Sequence, residues 1–129
     1  MHMTQAEFRN FMNPQQAQEK PRKRRGKQKE GAVVNACIRW LYAYGCYVWR
    51  NNTGSYKTES GQHVSYGKKG SADIIGIMPD GRFIAIECKY GKNDLSACQE
   101  EFRDRILEKG GVFITARSID DLEAAWAQL

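Results

Sequence analysis

The sequence predicts an α/β fold, a mixed sheet of about four strands flanked by helices in the order α-β-β-β-α-β-α. Three observations lead there. Apolar residues recur at helical spacing over 28–45. Two apolar runs, 72–78 and 82–89, flank the turn signal Pro79-Asp80-Gly81. Ser96 and Gln99 have the spacing of a capping box and open a second helical segment, which Gly110-Gly111 closes before another strand.

In the first segment Glu30, Val33, Val34, Cys37, Trp40, Leu41 and Tyr44 fall on one stripe, and Gly45 is a natural stop. Residues 46–50 are aromatic and β-branched and read as a strand. Residues 51–71 are rich in Asn, Gly, Ser, Thr and Lys, and they read as a long polar loop, a length that in compact domains goes with function or mobility. The strands 72–78 and 82–89 then form a hairpin. The helix from Ser96 runs to about Lys109, and 112–117 is a fourth strand. Ser118 with Asp121 reads as a second cap, opening a short last helix that contains Leu122 and Trp126.

The 129 residues amount to one domain with a formal charge of +5. That charge is uneven. Residues 1–29 hold eight basic side chains and two acidic ones, whereas 30–129 are nearly neutral at −1. Residues 1–26 therefore read as a flexible basic arm, and 27–129 as the folded domain. The run holding Arg22, Lys23, Arg24 and Arg25 suits a salt-sensitive grip on phosphates, or else serves as a solubilising tail. No apolar run nears the roughly 20 residues of a membrane helix, and the N-terminus has no secretory pattern. Cys37, Cys46, Cys88 and Cys98 form no C-x-x-C pair, so zinc is disfavoured. Buried free thiols in a reducing cytoplasm are expected.

The chemistry centres on Asp73, Glu87 and Lys89. Counting about residue 80 places 73 opposite 87, and strand alternation puts Glu87 and Lys89 on one face with Cys88 on the other. Two carboxylates on apolar strands repel unless they share a cation or a proton. Oxygen ligands without His or Cys suit Mg²⁺ or Mn²⁺, with Lys89 beside them to orient a water or neutralise charge. A structural salt bridge from Lys89 to Glu87 or Asp73 is the plain alternative.

Gly70-Ser71-Ala72-Asp73-Ile74-Ile75-Gly76, Ile86-Glu87-Cys88-Lys89, Leu95-Ser96-Ala97-Cys98-Gln99, Gly110-Gly111-Val112 and the closing stretch 116–122 together resemble the VRR-NUC family. This family belongs to the PD-(D/E)XK nuclease superfamily. Ser71-Ala72 stands where Pro might precede Asp73. The resemblance covers roughly residues 28–122. It implies a restriction-endonuclease-like core and a metal-dependent phosphodiesterase of the stand-alone phage or bacterial type. It also implies metal ligands at Asp73, Glu87 and the Cys88 backbone carbonyl, and further site residues at Glu30 and Gln99. Glu30 can equally be a favourable charge at a helix N-terminus. Gln99 already has work in the capping box, and the two roles are compatible only if its side chain turns away from the Ser96 amide.

Arg50, Asn52, Lys57, Lys68 and Lys69, interleaved with Tyr56, His63 and Tyr66, suit phosphate contacts and stacking on unpaired bases, unless 51–71 is an ordinary solvated loop. Gly70 is read as letting backbone approach the scissile phosphate. The expected function is a structure-selective DNA endonuclease of the Holliday-junction-resolving type, acting on branched DNA. The competing readings are a non-catalytic nucleic-acid-binding module and a flap or sequence-specific nuclease on the same fold. A homodimer is expected, built on the first helix or the strand after it, because Trp40, Tyr42, Tyr44 and Tyr47 cannot all face one small core.

Overall fold

The computed structural model describes residues 26–129, with side chains from Glu30 onward. The basic run Arg22, Lys23, Arg24 and Arg25 lies outside the described residues. Helix α1 spans Gly26–Ala43 and is followed by strand β1, Tyr47–Arg50. Next come β2 (Gly54–Lys57), β3 (His63–Tyr66), β4 (Ile74–Ile77) and β5 (Phe83–Cys88). Helix α2 (Ala97–Glu108), strand β6 (Val112–Ala116) and helix α3 (Ile119–Trp126) complete the order.

The fold is mixed α/β, with a four-stranded sheet ordered β1-β4-β5-β6. β4 runs antiparallel to β1 and β5, and β5 runs parallel to β6. Val48, Gly76, Ile84 and Val112 lie in one cross-strand row, and Ile74, Ile86 and Ile114 in the next. This face packs on Val34, Cys37, Trp40 and Leu41 of α1 and Leu122 of α3 to form the core. Leu41, Ile74, Ile84, Ile86 and Leu122 are wholly buried, and each such side chain contributes about 1.5–3 kcal/mol by leaving water. α2 lies against the opposite face, where Phe102 meets Phe113 edge-on at 6.3 Å. None of the described helices is long and apolar enough to cross a membrane.

Four expectations need correction. Residues 51–71 are not a simple loop: β2 and β3 pair as a separate two-stranded sheet, joined by a turn that Thr58 ties through its backbone to Gln62 and through its hydroxyl to Ser60. Both faces of this ribbon are largely exposed, so it carries none of the apolar alternation that betrays a half-buried strand. Tyr44 lies beyond the end of α1 and is exposed, stacked on Trp40 at 4.0 Å instead of entering the core. Ser118 holds the N-cap position of α3 but makes no side-chain cap bond; Asp121 instead accepts from the Arg117 amide at 2.8 Å. Cys37, Cys46 and Cys88 are buried free thiols, but Cys98, on the solvent side of the first turn of α2, is exposed.

Candidate active site

The turn between β4 and β5 fixes the register. Ile74 pairs with Ile86 and Ile77 with Phe83, which places Asp73, one residue before β4, opposite Glu87. The Asp73 carboxylate confirms this by accepting a hydrogen bond from the Cys88 amide at 2.8 Å. Alternation points Glu87 to the α2 side of the sheet and Cys88 into the core. There the Cys88 and Cys37 thiols face each other, and the side-chain hydrogen bond between them, together with burial, pushes the Cys88 thiol's ionisation up.

Glu87 is the only buried charged or polar residue among those described, at 4% exposure. Gln99 Nε2 donates to its Oε1 at 3.0 Å, while Oε2 is buried with no hydrogen-bond partner. Burial pushes its ionisation up to about 8, and the neighbouring Asp73 carboxylate adds to the shift. Lys89 opposes it and Glu30 reinforces it through charge. Four expected site residues, Asp73, Glu87, Lys89 and Gln99, thus converge, and Glu30, half-buried near the start of α1, is close enough for its charge to act on Glu87.

The two roles expected to exclude each other at Gln99 are filled together. Its Oε1 accepts from the Ser96 amide at 2.9 Å while its Nε2 reaches Glu87, and its own amide donates to Ser96 Oγ at 3.3 Å. An amide side chain offers an acceptor and a donor at opposite corners, so one rotamer completes the capping box and holds Glu87. The cap of α2 is thereby part of the site.

A further residue, Asn51, holds Asp73 in place. Its amide donates to the Asp73 carbonyl at 2.7 Å, and its side chain donates to Ser71 Oγ at 2.7 Å and to the Ala72 carbonyl at 2.9 Å. Ser71 Oγ in turn donates to the Lys68 carbonyl at 2.6 Å. Sequence reasoning passed over Asn51 in favour of its neighbours Arg50 and Asn52. The only signal was a short amide side chain at the end of a strand, a residue type that readily bonds to backbone.

Gly70 is required by local packing. Its φ is +82°, and a Cβ there would stand 2.6 Å from the Cys98 carbonyl oxygen. The glycine lets the segment before Asp73 pass under the first turn of α2, next to Gln99. Arg50 ends β1 opposite Ile74. Asn52 lies at the root of the β2–β3 ribbon, and Lys68 and Lys69 lie in the segment that returns from it to Asp73. Lys57 stands across from His63 at the far end, beside the turn. All five cationic or amide candidates are exposed.

Among the described residues, no three His, Cys, Asp or Glu side chains form a ready-made metal cage. Asp73 and Glu87 instead offer two carboxylates within hydrogen-bonding reach of each other, which favours a proton shared between them when no cation is present. Such a pair is costly as two anions and fits a hard divalent cation, with water to complete its coordination. The chain matches no family model and no curated protein.

Proposed function

We propose that this protein is a Mg²⁺- or Mn²⁺-dependent, structure-selective DNA endonuclease with a restriction-endonuclease-like core of the VRR-NUC type, acting as a homodimer on branched DNA. The observation that carries the reading is Glu87, a carboxylate buried on an apolar strand, held by Gln99 and set against the Asp73 carboxylate. Without an ion, burial and the neighbouring Asp73 carboxylate keep a proton on Glu87, and a divalent cation set between the two carboxylates would take that proton's place.

In this reading Asp73, Glu87 and the Cys88 carbonyl would hold the ion, which would supply an activated water and offset negative charge on the phosphate. Lys89, on the same face of β5 as Glu87, orients the attacking water and offsets charge as water adds at phosphorus and the sugar oxygen departs. Gln99 fixes the Glu87 carboxylate, and Glu30 positions water at the margin. Arg50, Asn52, Lys57, Lys68 and Lys69 grip phosphates without reading sequence. The run from Arg22 to Arg25 adds salt-sensitive affinity.

The test is cleavage of labelled four-way junction, flap and plain duplex DNA in Mg²⁺, Mn²⁺ or EDTA. The reading predicts cutting of the junction in either metal and none in EDTA. Cleavage that persists in EDTA, or no cleavage of any DNA in either metal, overturns it.

A further inference from the structure

The β2–β3 ribbon is rooted at the candidate active site at both ends. Asn51, three residues before β2, bonds to the Asp73 carbonyl, and the chain leaving β3 runs through Gly70 under Cys98 directly into Asp73. Its two faces are chemically sorted. The register pairs Gly54 with Tyr66 and Tyr56 with Val64, so these four residues share one face. Ser55 pairs with Ser65 and Lys57 with His63, and those four share the other.

On the first face the Tyr56 and Tyr66 rings lie 6.5 Å apart at 44°, and both are about half exposed, at 55% and 50%. Gly54 leaves room for the Tyr66 ring to lie across the ribbon, since a Cβ there would stand 2.8 Å from the ring carbon Cζ. Along the ribbon, from His63 at the turn end to Lys69 at the root, runs a cleft of about 350 Å³, lined also by Thr53, Ser55, Ser65 and the edge of Tyr66 and by no carboxylate. From residue 50 to 70 there are four Lys or Arg side chains against one acidic residue, Glu59. Exposed rings suit the flat face of a nucleobase; hydroxyls and cations without a carboxylate suit a phosphate.

We propose that the ribbon recognises the point where a DNA duplex opens into single strands, its tyrosine face stacking on the exposed base at the branch while the Ser/His/Lys cleft holds a phosphate of the departing strand. The juxtaposition that supports this is a two-faced ribbon whose root is tied to Asp73, so that a branch seated on it presents a phosphate to the Asp73–Glu87 pair. The inference deepens the nuclease reading by naming how its substrate is chosen, but its test needs no catalysis.

The full chain is titrated in EDTA against a fluorescent forked DNA and a blunt duplex of equal length, by anisotropy, with 2-aminopurine at the branch in a parallel set. The wild type is expected to prefer the fork by about tenfold and to quench 2-aminopurine. Tyr56→Ala/Tyr66→Ala should lose both effects while keeping its affinity for duplex, and Tyr56→Phe/Tyr66→Phe should retain them, because stacking needs the ring and not the hydroxyl. Lys69→Ala should weaken fork binding and flatten its salt dependence. Equal wild-type affinity for fork and duplex, or a fork preference that survives the double alanine variant, overturns the inference. So does a double alanine variant that dissociates a dimer with fork preference intact, since a second copy would then cover the tyrosines. A protein that selects the fork yet cuts no DNA in Mg²⁺ or Mn²⁺ keeps this inference and loses the nuclease reading.

Discussion

Glu87 sits where a carboxylate is least at home, sealed under α2 with Asp73 alongside, and this has a measurable consequence without metal. Its ionisation lies at about 8 in the fold against an ordinary 4.5. Between those values the folded chain keeps a proton that the unfolded chain has lost. The stabilising contribution is therefore complete below pH 4.5, declines as pH rises, and is gone above about 8. Thermal unfolding in EDTA from pH 5 to 9 should show that decline in the wild type and a shallower one in Glu87→Gln, which is neutral throughout. Parallel profiles would contradict the burial of a titrating Glu87. Asn51→Ala should lower cleavage by about 10- to 100-fold and raise the Mn²⁺ concentration needed for activity, as losses of groups that orient metal ligands do. An unchanged Mn²⁺ requirement would remove Asn51 from the support of Asp73. The pairing of 73 with 87 was legible in the sequence because a tight turn centred near residue 80 fixes it by counting. Asn51 was not, because an amide bonding to loop carbonyls leaves no periodic trace.

At the scale of elements, the cap of α2 couples fold to site. Ser96 Oγ accepts the Gln99 amide while Gln99 spans from the Ser96 amide to Glu87. Ser96→Ala should therefore cost about 1 kcal/mol in urea unfolding and also reduce the cleavage rate, although Ser96 is exposed and touches no proposed ligand. A stability loss with an unchanged rate would show that Gln99 holds its place without the cap. The capping box was readable as a spacing of serine and glutamine, and its double use was not, because a spacing does not say where the second corner of an amide points. The β2–β3 ribbon escaped for a related reason. Apolar alternation marks strands that bury one face, and Gly54-Ser55-Tyr56-Lys57 buries neither. β4, β5 and β6 were legible because each has a face in the core.

Over the whole molecule, helices cover the sheet unequally. α1 and α3 close one face, but on the other α2 covers only the β5–β6 side. Tyr47 and Trp49 of β1, Ile77 of β4 and Phe83 of β5 remain exposed there as neighbours in the register. Exposed apolar side chains grouped in this way suit the contact surface that the proposed dimer needs. The aromatic surplus expected of the first helix is thus placed mainly on the strand after it: Trp40 is buried and Tyr42 half-buried, whereas Tyr47 is 64% exposed. In the proposed homodimer this face would meet its copy across a two-fold axis, which would set two sites for paired cuts in a junction. Sedimentation at micromolar concentration should give a dimer for the wild type and a monomer for Tyr47→Glu/Trp49→Glu. A wild-type monomer that still cuts junctions at full rate would refute the dimer.

If Asp73 and Glu87 together hold the ion that cuts DNA, losing Asp73 must stop the chemistry and spare the binding. The deciding measurement is the rate of four-way junction cleavage in saturating Mn²⁺ for the wild type and Asp73→Ala, with binding of the same junction measured in EDTA. Asp73→Ala should cut at no more than about a hundredth of the wild-type rate while binding the junction at least as tightly, since a carboxylate that repels phosphate has been removed. Cleavage by Asp73→Ala at the wild-type rate would contradict the account.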